Sequence, residues 1–183
     1  MDLRNHFLLS MPTLEDPNFQ RTLGLICDHS EQGAMGIVVN RPLALTAGEI
    51  LSHLGIDHVA NSVARQPVLY GGPVEPERGF VVHEEPRSWE ATLQVGEHLG
   101  ITTSRDILDA LGRGEGPARF LITLGYSGWG AGQLEAELAS NAWLTCPAEV
   151  DILFEHPPEA RLETAAARMG IDLDLVSADA GHA

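Results

Sequence analysis

The stretch Arg119 to Ser140 reads RFLITLGYSGWGAGQLEAELAS. RFLITL (Arg119 to Leu124) is a short apolar, β-rich run of the kind that sits buried in a sheet. Leu134 and Leu138, one turn apart, predict a helix from about Gly132 to Ser140. Between them lie Gly125, Gly128, Gly130 and Gly132, so the segment predicts a buried strand, a glycine-rich turn and a helix. Such a junction can present backbone amides to an anion at Gly128, Trp129, Gly130, Gly132 and Gln133. It can equally be a tight turn whose glycines seat Trp129 against nearby backbone.

Three known chemistries fail on this stretch. A nucleophile elbow needs glycine two residues after the serine, but Trp129 follows Ser127 at that spacing. A dinucleotide fingerprint begun at Gly128 needs Gly or Ala at Gln133. A phosphate loop needs lysine, and the 11 basic residues of this chain are all arginine. That composition also removes Schiff-base chemistry. No cofactor is implied.

Working outward, the N-terminal half reads as strands joined by turns. His6 to Ser10 is one; Thr22 to His29 and Ala34 to Arg41 form a hairpin across Ser30 to Gly33, closed by Pro42. Thr46-Ala47-Gly48-Glu49 fits a capping box for a helix carrying Ile50, Leu51 and Leu54. Pro67 to Gly71 and Gly79 to His83 are further strands, residues 84–91 a loop, and Thr92 to Val95 a strand. Ser104 caps a helix to Leu111. Ala148 to Phe154 reads as a strand and Pro158 to Met169 as an amphipathic helix. With 183 residues and no internal linker, residues 1–183 are expected to form one domain of the α+β class.

The formal charge of −15 and the scattered arginines disfavour direct nucleic-acid binding, which draws on clustered positive charge. No apolar run is long enough to span a bilayer. MDLRNHFLLS does not read as a signal peptide, so a cytoplasmic protein with reduced thiols is expected. The histidines and cysteines show no metal-ligand spacing, and no metal is assigned. His83 with Glu84 and Glu85 reads as a charged strand end.

Cys27 and His29 are the candidate chemical pair. Alternation on a strand puts both on one face, where an imidazolium would favour the thiolate for redox or covalent chemistry. The alternative is a buried core cysteine.

The ordered segments FLLSMPTLEDPNFQRTLGLICDHSEQGAMGIVVNRP (Phe7 to Pro42), YGGPVEPERGFVVH (Tyr70 to His83) and LGYSGWGAGQLEAEL (Leu124 to Leu138) resemble the YqgE/AlgH family. NAWLT (Asn141 to Thr145), DILF (Asp151 to Phe154), RMGID (Arg168 to Asp172) and the terminal GHA continue the resemblance. Ser127 departs from it, where the family usually has Ala, and Cys146 is outside its pattern. The resemblance implies a single domain with a β-rich, partly barrel-like mixed sheet and flanking helices. It supplies no catalytic set. Its members carry a transcriptional-regulator label, which with this charge implies indirect action through a protein partner. A small anionic ligand at the glycine-rich turn is a further expectation, and thiol chemistry at Cys27 is the enzymatic alternative. Oligomeric state is not legible.

Overall fold

The computed structural model describes residues 1–84 and 88–180, with side chains to residue 176. Its centre is a long strand, β9 (Phe120–Gly130), to which three others pair. Before it come β1 (His6–Ser10), β2 (Leu23–Ser30), β3 (Gly33–Val38), β4 (Pro42–Thr46) and β5 (Pro67–Tyr70). These are followed by β6 (Val74–Glu84), β7 (Thr92–Gln94) and β8 (Leu99–Thr102); β10 (Trp143–Pro147) comes after β9. The helices are α1 (Ala47–His53), α2 (Asn61–Ala64), α3 (Arg105–Gly112), α4 (Gln133–Ala139), α5 (Val150–Phe154), α6 (Pro158–Arg168) and α7 (Leu173–Ala180).

The sheet order is β10-β1-β2-β3-β9-β6-β8-β7. One edge of β9 changes partner along its length. Thr123 and Leu124 pair parallel with β5, whereas Ser127 to Gly130 pair antiparallel with β3. The other edge pairs with β6 from Phe120 to Tyr126. This change of partner curls the sheet into a half-barrel with helices on both faces, the α+β architecture expected.

Burial on both faces explains the continuous apolar runs. Phe80, Val82 and Leu121 enter the main core with Phe7, Leu9, Leu25 and the helices α5 and α6. The alternate residues Val81, Phe120 and Ile122 pack beneath α1 and α3. On the outer face of β1 and β2, Leu8 and Ile26 meet Trp129, Leu134 and Trp143.

Several local expectations need correction. The glycine-rich segment is strand, not turn: β9 runs through Gly130, and only Ala131 and Gly132 make the turn into α4. Its pairing with β3 carries Ser127 to Gly130 into the sheet. The first hairpin has two intervening residues, Glu31 and Gln32, since Ser30 pairs with Gly33. Pro42 opens β4 at a sheet edge, where its missing N–H is tolerated. Residues 148–154 are not a strand. The ladder partner of β1 is Trp143–Pro147, and Val150–Phe154 coils as α5 to turn Ile152 and Leu153 into the core. The strands β4 and β8 and the helices α2 and α7 were not expected. Residues 85–87 of the expected loop, including Glu85, and the terminal GHA lie outside the described residues.

Candidate functional site

The glycines of the β9 signature do their work where the sheet curls. Gly125 has φ +77°, and a Cβ there would lie 2.3 Å from the Gly72 carbonyl oxygen. A Cβ on Gly71 would lie 2.3 Å from the Gly125 oxygen, and one on Gly72 would reach 2.2 Å from the Tyr126 carbonyl. The chain after β5 therefore crosses β9 backbone against backbone, which side chains would prevent. Further along, Trp129 is buried and its ring covers Gly36 across the strands, stacks with Phe19 at 6.2 Å and meets Trp143 edge-on at 6.2 Å. The glycine that seats Trp129 is therefore Gly36 of β3, not one of the glycines of the quoted stretch.

Gln133 Oε1 accepts the Gly130 N–H at 3.0 Å, and Met35 and Ala34 lie opposite Gly128 and Trp129 in the ladder. Gly132 holds the left-handed conformation that starts α4, at φ 75°.

Cys27 and His29 do not share a face. The β2–β3 register shifts between Ile26 and Asp28, a bulge with Cys27 as the extra residue. Cys27 consequently points into the main core and is fully buried. Its Sγ donates to the Leu25 carbonyl of its own strand at 3.3 Å. Burial, and secondarily the Asp28 carboxylate, push the thiol well above its ordinary range, opposite to a reactive thiolate.

His29 faces the other way. Its Nδ1 accepts the Leu3 N–H at 3.0 Å, which leaves the ring proton on Nε2 to be donated to Glu135 Oε1 at 2.6 Å. The side chain is 3% exposed and both ring nitrogens are occupied. The hydrogen bond from His29 holds the Glu135 carboxyl below its usual range. This pair latches the N-terminal segment to α4. Glu135 lay inside the quoted signature, but only the bulge brings His29 to it.

His83 is also buried. Its Nε2 meets Thr102 Oγ1 at 2.8 Å, and Thr102 continues to Thr92 Oγ1 at 2.7 Å. Burial lowers its pKa, with the Glu84 carbonyl opposing. No group of three or more His, Cys, Asp or Glu residues able to hold a metal is present among the described residues. No helix among them is long and apolar enough to cross a membrane.

A large open concavity lies elsewhere, between α1 and α3. It has a volume of about 520 Å³, within the range of ligand sites. Leu45, Ile50, Leu54, Phe80, Leu108 and Ile122 form its apolar floor and walls. Leu54 is 38% exposed. Glu49, His53, Glu77 and Arg105 stand at its rim. Arg105 donates to the Leu54 carbonyl at 2.6 Å and pairs with Asp109, tying α3 to the end of α1. Thr46 caps α1 by accepting from the Glu49 amide, as the capping box predicts, and its hydroxyl donates to Glu49 Oε1. Both helices were legible in the sequence. The groove between them was not, because it depends on how they are set over β6 and β9.

Comparison with known proteins agrees with this architecture. The AlgH-like family model matches residues 7–174. The chain belongs to that family. A UPF0301 protein of Thioalkalivibrio sulfidiphilus is 55% identical over 179 residues, 98% of this chain and 96% of the relative. Another from Nitrosococcus oceani is 52% identical over 180 residues, with the same coverage. The solution structure of the AlgH protein from Pseudomonas aeruginosa is 50% identical and superposes with a TM-score of 0.81, covering 100% of this chain and 97% of that one. A crystal structure of a Corynebacterium diphtheriae protein shares the fold at TM-score 0.73 and 19% identity, covering 96% and 91%. The half-barrel with its helices is thus the architecture of the AlgH-like family.

Proposed function

We propose that this protein is a non-catalytic binding protein that influences gene expression indirectly, by docking a partner protein in the α1–α3 groove. The groove itself carries this reading: it is open, apolar and rimmed by charge, with Leu54 left partly exposed. An exposed apolar concavity of this kind is characteristic of interaction sites. Charge selects the partner. Arg105 is compensated by Asp109, whereas Glu77 forms no ion pair among the described residues and Glu49 is hydrogen-bonded only within its cap. With −15 on the whole chain, the favoured partner presents an apolar side chain flanked by basic residues. A cytoplasmic location suits such a role.

The test is genetic and biochemical together. A deletion strain is complemented with the wild-type protein or with Leu54→Glu, a partly exposed position where the change should leave stability within about 0.5 kcal/mol. Wild type should restore the altered transcripts and Leu54→Glu should not. Full restoration by Leu54→Glu, or an unaltered transcriptome on deletion, defeats the proposal. So does salt-steep binding of the purified protein to promoter DNA, which would mean direct regulation. Thiol catalysis at Cys27 gains no comparable support, since its sulfur is sealed in the core and separated from His29 by the bulge.

A further inference from the structure

A second cavity, of about 230 Å³, opens where β5, β9 and the start of α6 meet. Its walls combine an apolar part, with Leu69, Phe120, Leu121, Phe154 and Pro158, and a polar part with Gln66 and Arg119, and Arg161 reaches it from α6. Arg161 is only 4% exposed. Its Nε donates to the His156 carbonyl at 3.2 Å and its Nη1 to the Val39 carbonyl at 2.6 Å. No carboxylate among the described residues forms an ion pair with it. Nη2 has no protein partner there, and it is not among the side-chain atoms sealed from solvent without one. Buried arginines are rarely left without a counter-charge, because removing an uncompensated ion from water is expensive. Burial accordingly lowers this guanidinium to about 10, with Glu159 the opposing influence.

Two neighbours add to the argument. The 11-residue helix α6 begins at Pro158 on the cavity wall, and no side chain caps its N-terminus. Its dipole favours negative charge at that end. Arg119 also lines the cavity, but it is already paired, to Glu155 at 2.5 Å and to Glu84 at 3.7 Å. One positive charge, that of Arg161, is therefore uncompensated. A single uncompensated charge beside the apolar part of the wall matches a monoanion carrying a hydrocarbon part better than a dianionic phosphate. The volume, below the roughly 300–1,000 Å³ of drug-sized sites, requires a small one.

We propose that this cavity binds a small organic monocarboxylate, held through the free edge of Arg161 with its hydrocarbon part against Leu69, Phe120 and Phe154. The site is separate from the α1–α3 groove, so its test leaves the groove reading untouched. If Arg161 merely clamps two carbonyls, the cavity needs no ligand.

Hexanoate, inorganic phosphate and hexanol are titrated separately into the isotopically labelled full chain and followed by NMR. Hexanoate should shift resonances of Leu69, Leu121, Phe154 and the Arg161 Nε–H, with a Kd on the order of 1 mM or tighter. Phosphate and hexanol should bind at least about 10-fold more weakly, one lacking the apolar part and the other the charge. Arg161→Gln should weaken hexanoate by a similar factor. Ala118 is exposed at the cavity wall, so Ala118→Trp blocks the cavity without touching Arg161 and decides the matter if Arg161→Gln fails to fold. No hexanoate shifts, equal binding of phosphate or hexanol, or unaltered binding in Ala118→Trp each overturns the proposal.

Discussion

Three glycines within eight residues separate the effects that a side chain can have on this fold. Gly125 has φ +77°, and a Cβ there would meet the Gly72 oxygen at 2.3 Å. Gly132 has nearly the same backbone, φ +75°, but open space around the Cβ position. Gly128 has no positive φ, and its nearest neighbour would be Tyr126 Cε2 at an ordinary 3.9 Å. Replacing each with alanine therefore adds, in turn, strain plus collision, strain alone, and neither. The left-handed conformation costs a residue with a Cβ about 1–2 kcal/mol. Forcing a group against backbone adds about 1–3 kcal/mol. Against these stands a gain of about 0.4–1 kcal/mol from the reduced freedom of the unfolded chain. Gly125→Ala should destabilise by about 2–4 kcal/mol, Gly132→Ala by about 0.5–1 kcal/mol, and Gly128→Ala should be neutral or slightly stabilising. Equilibrium urea denaturation, followed by circular dichroism and tryptophan fluorescence, measures all three. With slopes of about 1–3 kcal/mol per molar urea, Gly125→Ala should lower the midpoint by roughly 1 M or more. If Gly125→Ala is no more damaging than Gly132→Ala, the close crossing of the two backbones does not constrain β9, and the account of the half-barrel's curl is wrong.

Thiol labelling offers a second check: a polar thiol reagent should modify the partly exposed Cys146 in the native protein but reach Cys27 only as the chain unfolds. Rapid native labelling of Cys27, read by peptide mass spectrometry, would contradict its burial. A third concerns His83, whose pKa burial holds below its ordinary 6.5. Below pH 6.5 the unfolded chain takes up this proton before the folded chain does, so the contribution of neutral His83 is present above 6.5 and declines as pH falls from there towards the folded pKa. Urea melts between pH 7.5 and 5 should show this loss in wild type and a smaller one in His83→Gln; identical slopes in the two proteins would remove His83 as the cause.

The residues themselves determined much of the framework. β-Rich runs at His6–Ser10, Thr22–His29 and Arg119–Leu124 announced β1, β2 and the first half of β9, because their apolar side chains must be removed from water. Thr46 and Glu49 announced the start of α1, since a hydroxyl three residues before an acidic side chain can satisfy its otherwise unpaired amides. The absence of lysine excluded whole chemistries regardless of fold. What remained illegible depended on partners distant in the chain. Gly125 and Gly128 look alike in sequence, and only the passage of Gly71 and Gly72 over β9 makes one indispensable. Val150 to Phe154 has a composition that suits strand or helix; the pairing of β1 with Trp143–Pro147 decided between them.

The candidate site shows the same division. Alternation put Cys27 beside His29 because a regular strand was assumed, and one bulged residue sent the thiol into the core and the imidazole to Glu135. Arg161 gave no local sign of its position, since a helix-borne arginine is usually solvated; the convergence of β5, β9 and α6 buries it. Local sequence thus determined which segments could form strands and helices and which reactions lacked their residues. Tertiary structure decided which side chains lost water and gained partners, because desolvation and close contact arise only when remote segments pack together.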